Sequence, residues 1–440
     1  MYVTKNNQSI IVCSHDVYPH IRSSEGIVNR NWFDVLSEKH NNLGLLSSDK
    51  SIKIIDNNRL IILDNNVLKA LYYWSKLPKN TFLGFLYRIF NRISVKLFAL
   101  SKESSLYQIL WVKIQTDYVF RISNSNLENT VFWSRILPTF SILPVINAWN
   151  RKRIPFIINI NDPFQNNLKN GYSYDEKVFL ETVDKAQCWT FPSKRLAIFM
   201  AKKYNLEVNR CFVIPHAMRN QYKIYDSEKV VKGKLKFVYS GTFYKSAFTD
   251  SFGIELVKFS LSEEINRVEF IFILSQYDNF SLNWIKKKIP NAIIHTKLDR
   301  DTVLKITADA DCMLVIDSII HQDLLKGKLI EAISQGLPIL AITYPNSVMD
   351  NVVKEYGGIS SYQNIENDIS DKFINVVTNL ESGIWRSDFC EKRREVMTKI
   401  SEENIAKATI EITQYALERF LWEEGKSQRE PIAPITYNWP

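Results

Sequence analysis

The stretch HQDLLKGKLIEAISQGLPILAI, residues 321–342, reads as a helix, its stop and the strand that follows. The Gly-Leu-Pro at 336–338 ends the helix and opens the strand. Asp323 stands just ahead of a helix expected to begin near Leu325, and Glu331 follows eight positions later, two turns inside it. Free N–H groups and the positive dipole end of such a helix point toward the carboxyl ends of the strands, where phosphates bind in open α/β sheets. Glu331 then suits the two hydroxyls of a ribose, while Lys328 or Lys326 offsets phosphate charge.

Outward from this block the same alternation repeats. Strands are expected at 235–240, 268–274, 292–295, 312–316 and 338–342 in the second half, and at 9–14, 59–63, 117–122, 155–160, 187–191 and 211–215 in the first. Continuous apolar strands separated by helical stretches describe a parallel sheet covered on both faces. The pattern occurs twice, so the expected fold class is α/β with two doubly wound domains. The polar stretch AMRNQYKIYDSEKVVKGK (217–234) reads as their linker. The expected boundaries are 1–218, a linker at 219–234, 235–395, and 396–440, whose helical part (roughly 391–423) is long enough to return to the first domain.

Composition bounds the class. The 440 residues are 45% hydrophobic and 23% charged, ordinary for a globular chain of two domains. Cys13, Cys188, Cys211, Cys312 and Cys390 are dispersed without a CxxC pair, against a disulfide framework or structural zinc and in keeping with a reducing compartment. The opening MYVTKNNQSIIVCSHDVYPH lacks a signal-peptide core, and no apolar run reaches the roughly eighteen residues of a spanning helix. A cytoplasmic protein, soluble or peripheral, is expected. Lys and Arg number 56 against 47 Asp and Glu, a net charge of +9 that favours anionic partners. No zinc-finger spacing, RNP-type motif or basic heptad helix points to nucleic acid.

Residues 79–102, KNTFLGFLYRIFNRISVKLFALSK, place Phe82, Phe85, Leu86, Ile89, Phe90, Ile93, Leu97 and Leu100 at helical spacing among charges that are all positive. Two structures fit that pattern: a helix in an anionic membrane interface, or a core helix with a solvated basic face.

Several other motifs carry less. Asp309-Ala-Asp311 has the DxD form that holds Mg²⁺ on a diphosphate, but it falls where a helix ends and a strand begins and reads as solvated helix-end carboxylates. His15 and His20 are five apart on a loop, the wrong spacing for zinc. His15 does end the first strand, within reach of a substrate. No Walker loop, GxGxxG after the first strand, or GxSxG elbow is present.

Asp323-x7-Glu331 with Lys328 and QGLPILA resembles the acidic motif of retaining GT-B glycosyltransferases, specifically glycosyltransferase family 4 of the bacterial polysaccharide type. FVYSGTFYKS (237–246) resembles the opening of that family's donor domain, FWSRILPTFSILPVINAWNRKRIPFIININDPF (132–164) a stretch of its first domain, and VIPHAM (213–218) the end of that domain. The Pro19…Gly26 loop ahead of a helix fits as well. The resemblance implies GT-B architecture, two Rossmann-like domains facing across a cleft, and transfer of a sugar from a nucleotide-diphosphate donor to a glycan or lipid-linked acceptor. Anomeric configuration would be retained, with no metal or other cofactor required. Glu331 would hold the ribose, and Asp323, one methylene shorter than the family's glutamate, would lie by the donor sugar. Gly241 and Thr242 would let backbone approach the diphosphate. Lys245, Lys328 and the helix start at Leu324, Leu325 and Lys326 would neutralise it. Asp162 would face the donor from the first domain, with His15, Gly26 and Arg135 on the acceptor side. Surface polysaccharide assembly (capsule or O-antigen) at the inner face of a bacterial cell membrane is the expected setting. A sugar-nucleotide epimerase of the same fold and a non-catalytic partner that kept it remain the alternatives.

Overall fold

The runs SIIVC, FIIN, CWTF, VEFIFIL, CMLVI and ILAIT have no polar face, so each is stable only as a strand covered on both sides. A computed structural model of the chain describes residues 8–17, 24–40, 43–47, 66–78, 80–98, 105–123, 129–164, 173–217, 233–242, 247, 249–274, 279–434 and 439. The chain divides into two compact units, Met1–Ile214 with Ala406–Asn438, and Pro215–Ile405 with Trp439–Pro440.

The first unit is a six-stranded parallel sheet. Its strands are β1 (Ser9–Cys13), β2 (Leu43–Leu46), β3 (Thr130–Arg135), β4 (Phe156–Asn159), β5 (Cys188–Phe191) and β6 (Cys211–Val213), in the order β2-β1-β3-β4-β5-β6. The winding reverses between β1 and β3, so a crevice opens beyond their carboxyl ends. The helix Glu402–Glu423 covers this unit from Ala406 onward. Its buried threonines serve indoles: Trp32 Nε1 donates to Thr409 Oγ1 (3.3 Å) and Trp133 Nε1 to Thr413 Oγ1 (2.8 Å). Burying a large ring without orphaning its N–H requires such a partner.

The second unit contains β7 (Leu235–Gly241), β8 (Val268–Leu274), β9 (Ile293–Thr296), β10 (Cys312–Ile316), β11 (Ile339–Thr343) and β12 (Ile359–Tyr362) in the order β12-β11-β10-β7-β8-β9, all parallel. Its reversal lies between β7 and β10. Phe237, Phe259, Phe270 and Phe373 form one aromatic cluster under the sheet, with Phe259 stacked on Phe373 at 4.9 Å.

Expectation and structure part in three places. Residues 117–122, expected as a strand, lie in the helix Leu106–Ser123, where buried Tyr107, Trp111, Gln115 and Val119 recur at helical spacing. That period, set over the whole segment, outweighs the local β-branched look of DYVFRI. A strand not expected from the sequence, β3 (TVFWSR), pairs with β1, and its Trp, Ser and Arg hide a strand buried at every position. The stretch 391–423 is two helices, Ile384–Lys399 and Glu402–Glu423, broken at Ile400–Ser401. The short strands β2 and β12 were not expected, and the expected strand at 59–63 lies outside the described residues, as does most of the expected linker.

Candidate functional site

In the second unit the loops after β7 and β10 meet at the reversal of the winding. Gly241 ends β7 and Thr242 follows it. Gly241 has no positive φ, and a Cβ there would meet only the Tyr239 hydroxyl at an ordinary 3.4 Å. Neither backbone strain nor packing therefore demands glycine there. Lys245 lies outside the described residues.

The loop after β10 begins with Asp317 and leads into the helix Gly327–Ser334. That helix starts two residues later than the expected Leu325. Lys326 is its N-cap residue and supplies no side-chain cap, Leu324 sits in the turn before it, and the Leu325 side chain is buried. Lys326 Nζ lies 3.2 Å from Asp317 Oδ1, so its charge is committed to a buried aspartate. Asp317 also accepts from the backbone N of Ser318 at 2.8 Å. Burial still holds Asp317 above the usual carboxylate range, against the pull of Lys326.

One turn into the helix, Lys328 Nζ donates to Glu331 Oε2 at 2.9 Å. Arg300, the first residue of the helix Arg300–Ala308, brings Nη1 to 4.0 Å from Glu331 Oε1. Among the described residues Glu331 Oε1 is buried and accepts no hydrogen bond. A mostly buried carboxylate with one oxygen still able to accept, flanked by a lysine and an arginine, can receive a hydroxyl while the cations meet an anion. Glu331 and Lys328, both named from the sequence, are brought together here. Sequence reading missed Arg300, whose only signal is its place directly after the N-cap Asp299. Asp323 lies half-buried in the turn before the helix. Of the DxD pair, Asp309 pairs with Lys236, and Asp311 is buried and accepts from the backbone N of Lys236 at 2.9 Å. The expected solvated carboxylate at 311 is thus a structural tie between β7 and β10.

The first unit gathers its own polar group beyond β1 and β3. Arg135 ends β3, is buried, and lies over the Trp32 ring at 5.0 Å. Glu25 and Gly26 lie in the first turn of the helix Ser24–Lys39. Asn161, after β4, donates to Glu25 Oε1 at 2.8 Å. Burial raises Glu25 to about 7, with Arg135 and Asn161 pulling down and Asp162 and Asp16 pushing up. Asp162 itself is exposed. His15 is buried: Nδ1 lies 2.6 Å from Asp16 Oδ1 and Nε2 2.7 Å from Tyr107 Oη. Burial pushes the Tyr107 phenol well up, so it stays protonated, and both ring nitrogens of His15 have a hydrogen-bond partner. His15 therefore orients Asp16 rather than offering a free nitrogen. Asp16, Glu25, Tyr107 and Asn161 were not singled out by the sequence, since their grouping requires β1, β3, β4 and two helices to converge.

No protein-family model and no curated protein matches the chain. Solved structures do. A glycosyltransferase from Rickettsia africae ESF-5 aligns with TM-score 0.62 at 11% identity, covering 94% of this chain and 99% of that one. The trehalose-6-phosphate synthase OtsA aligns with TM-score 0.62 at 10% identity, covering 92% and 99%. A variant of S. aureus TarM in complex with Fondaparinux, alpha-GlcNAc-glycerol and UDP aligns with TM-score 0.52 at 15% identity, covering 69% of this chain and 59% of that one. The chain thus spans about three fifths of the length of TarM and nearly all of the other two. At these identities the likeness shows the fold: the GT-B architecture of two Rossmann-like units.

Proposed function

We propose that the chain is a glycosyltransferase of the family 4 type that moves a sugar, with retention, from a nucleotide-diphosphate sugar to a hydroxyl of a glycan or lipid-linked acceptor. The observation that carries this reading is Glu331, mostly buried between Lys328 and Arg300 with Oε1 accepting no hydrogen bond from a described residue, one turn into the helix beyond β10. Glu331 accepts the ribose hydroxyls. Lys328, the backbone at Gly241 and Thr242, Lys245 and the N–H groups at the helix start meet the diphosphate, whose charge grows as it leaves. Asp323 lies by the donor sugar. The bond from the anomeric carbon to the phosphate oxygen breaks on the face where the bond to the acceptor oxygen forms, and the acceptor proton passes to the leaving phosphate. This charge balance requires no metal and no protein base.

On the acceptor side, Asp16 and Asp162 hold hydroxyls, with His15 and Arg135 as positioning residues. UDP is the first donor nucleotide to try, because the TarM complex holds UDP and the E. coli trehalose-6-phosphate structure of the same fold is bound with UDP-2-fluoro glucose. Surface polysaccharide assembly is the setting we infer.

The test is calorimetry of UDP, GDP, ADP and CMP, without metal and then with Mg²⁺, on wild type and Glu331→Ala. One diphosphate binding wild type without metal, at least about tenfold tighter than the variant, is the expected result. Silence from every nucleotide would overturn it.

A further inference from the structure

The helix Phe82–Phe98 is turned inside out relative to an ordinary surface helix. Among its described residues, those set against the rest of the first unit include a glycine, a phenol and an amide, and Arg88 Nη2 donates to the Leu77 carbonyl at 3.0 Å. A Cβ on Gly84 would lie 2.5 Å from the Pro78 carbonyl oxygen, Tyr87 is buried, and Asn91 Oδ1 accepts from the backbone N of Leu106 at 2.6 Å. Six of its apolar residues face outward. Phe82 is 74% exposed, Phe85 57%, Phe90 55% and Ile93 50%, with Leu83 and Ile89 beside them. Phe82, Phe85, Ile89, Phe90 and Ile93 (i, i+3, i+7, i+8 and i+11) form one continuous stripe, with Leu83 on its edge. Such a patch in water is unfavourable and marks a surface that something else covers.

Charge says what covers it. From Asn65 to Lys102 the sequence has no Asp or Glu but Lys69, Lys76, Lys79, Arg88, Arg92, Lys96 and Lys102. Arg92 is exposed on this helix, and Tyr73 and Lys76 are exposed on the preceding helix Asn66–Lys76. A second copy of the chain docked on this face by a two-fold axis would set the basic flank against itself. An anionic lipid headgroup layer complements it instead, and its acyl boundary accepts the phenylalanines. With 17 residues and two arginines within it, the helix lies in the interface plane, and no described helix is long and apolar enough to cross a membrane. We propose that the helix Phe82–Phe98 docks the first unit on an anionic membrane surface, with Phe82, Phe85, Phe90 and Ile93 inserted among the headgroups.

The proposal stands on a different part of the chain from the nucleotide site and is tested separately. The full chain is sedimented with vesicles of equal parts phosphatidylcholine and phosphatidylglycerol, and with pure phosphatidylcholine vesicles. The paired substitution Phe85→Ser with Phe90→Ser, and separately Arg92→Glu, alters exposed side chains, so an unchanged melting temperature verifies the fold. The expected result is binding to anionic vesicles, weakened by salt and lowered about tenfold or more by either variant. Absence of wild-type binding overturns the proposal, as does full binding by the phenylalanine variant. A wild-type dimer that this variant makes monomeric, with no vesicle binding, assigns the face to a second copy and also overturns it. Vesicle binding without nucleotide binding would leave the docking in place and remove the transferase reading alone.

Discussion

Arg300 Nη1 stands 4.0 Å from Glu331 Oε1, an ion-pair distance too long for a hydrogen bond, while Lys328 Nζ holds the other carboxylate oxygen at 2.9 Å. The carboxylate is thus oriented by its lysine, and its second oxygen takes no hydrogen bond from the arginine. Glu331→Gln is expected to weaken nucleoside diphosphate binding about tenfold to a hundredfold, since hydrogen bonds to charged groups contribute about 1.5–3 kcal/mol. The same substitution should cost little for a nucleotide lacking both ribose hydroxyls. Calorimetry on the matched pair checks this, and equal losses for both nucleotides would remove Glu331 from the ribose.

Lys326 and Lys328 are two residues apart but have different tasks. Lys326 sits against Asp317, whose side chain is fully buried. Lys326→Met should therefore lower stability by about 3 kcal/mol by stranding a buried carboxylate, with the second change Asp317→Asn recovering much of the loss. Urea denaturation of the two variants decides it. Were Lys326 mainly a phosphate ligand, the first change would instead spare stability and weaken diphosphate binding.

The first unit should show its own pH signature. Glu25, raised to about 7 from a usual 4.5, binds its proton more tightly in the folded chain than in the unfolded one. Its contribution to stability is complete below pH 4.5 and is lost as pH rises through about 7, a fall of at most about 3 kcal/mol. Burial sets that value, with Arg135 and Asn161 lowering it and Asp162 and Asp16 raising it. Glu25→Gln should flatten the stability profile across this window and make the protein relatively more stable at pH 8. Thermal melts from pH 5 to pH 8 test the sign. A profile that keeps its slope in the variant would assign the titration elsewhere.

Gly336, which closes the helix Gly327–Ser334, has φ +67, and a Cβ there would lie 2.9 Å from Arg393 Cζ. Arg393 Nη1 donates to its carbonyl at 3.2 Å. Gly336→Ala combines a left-handed backbone with a displaced guanidinium and should cost about 1–2 kcal/mol. Because it also loosens the helix bearing Glu331, nucleotide affinity should fall with stability. Denaturation and calorimetry on one preparation test the coupling.

What the sequence by itself determined follows from local and periodic signals. Uninterrupted apolar strands between helical stretches implied two parallel sheets, and Gly-Leu-Pro after Glu331 located a helix end, because these signals lie within a few residues of one another. The same local character made Glu331 and Lys328 visible as one motif. Tertiary structure decided the rest. It put TVFWSR at the centre of the first sheet, since burial on both faces rather than composition makes that segment a strand. It brought Arg300 to Glu331 across 31 positions, and Asn161 to Glu25 across 136, contacts that no spacing encodes. It also turned the apolar stripe of Phe82–Phe98 outward, because a hydrophobic period shows that a helix has two faces, while only the packing of Gly84, Tyr87 and Asn91 shows which face meets the protein.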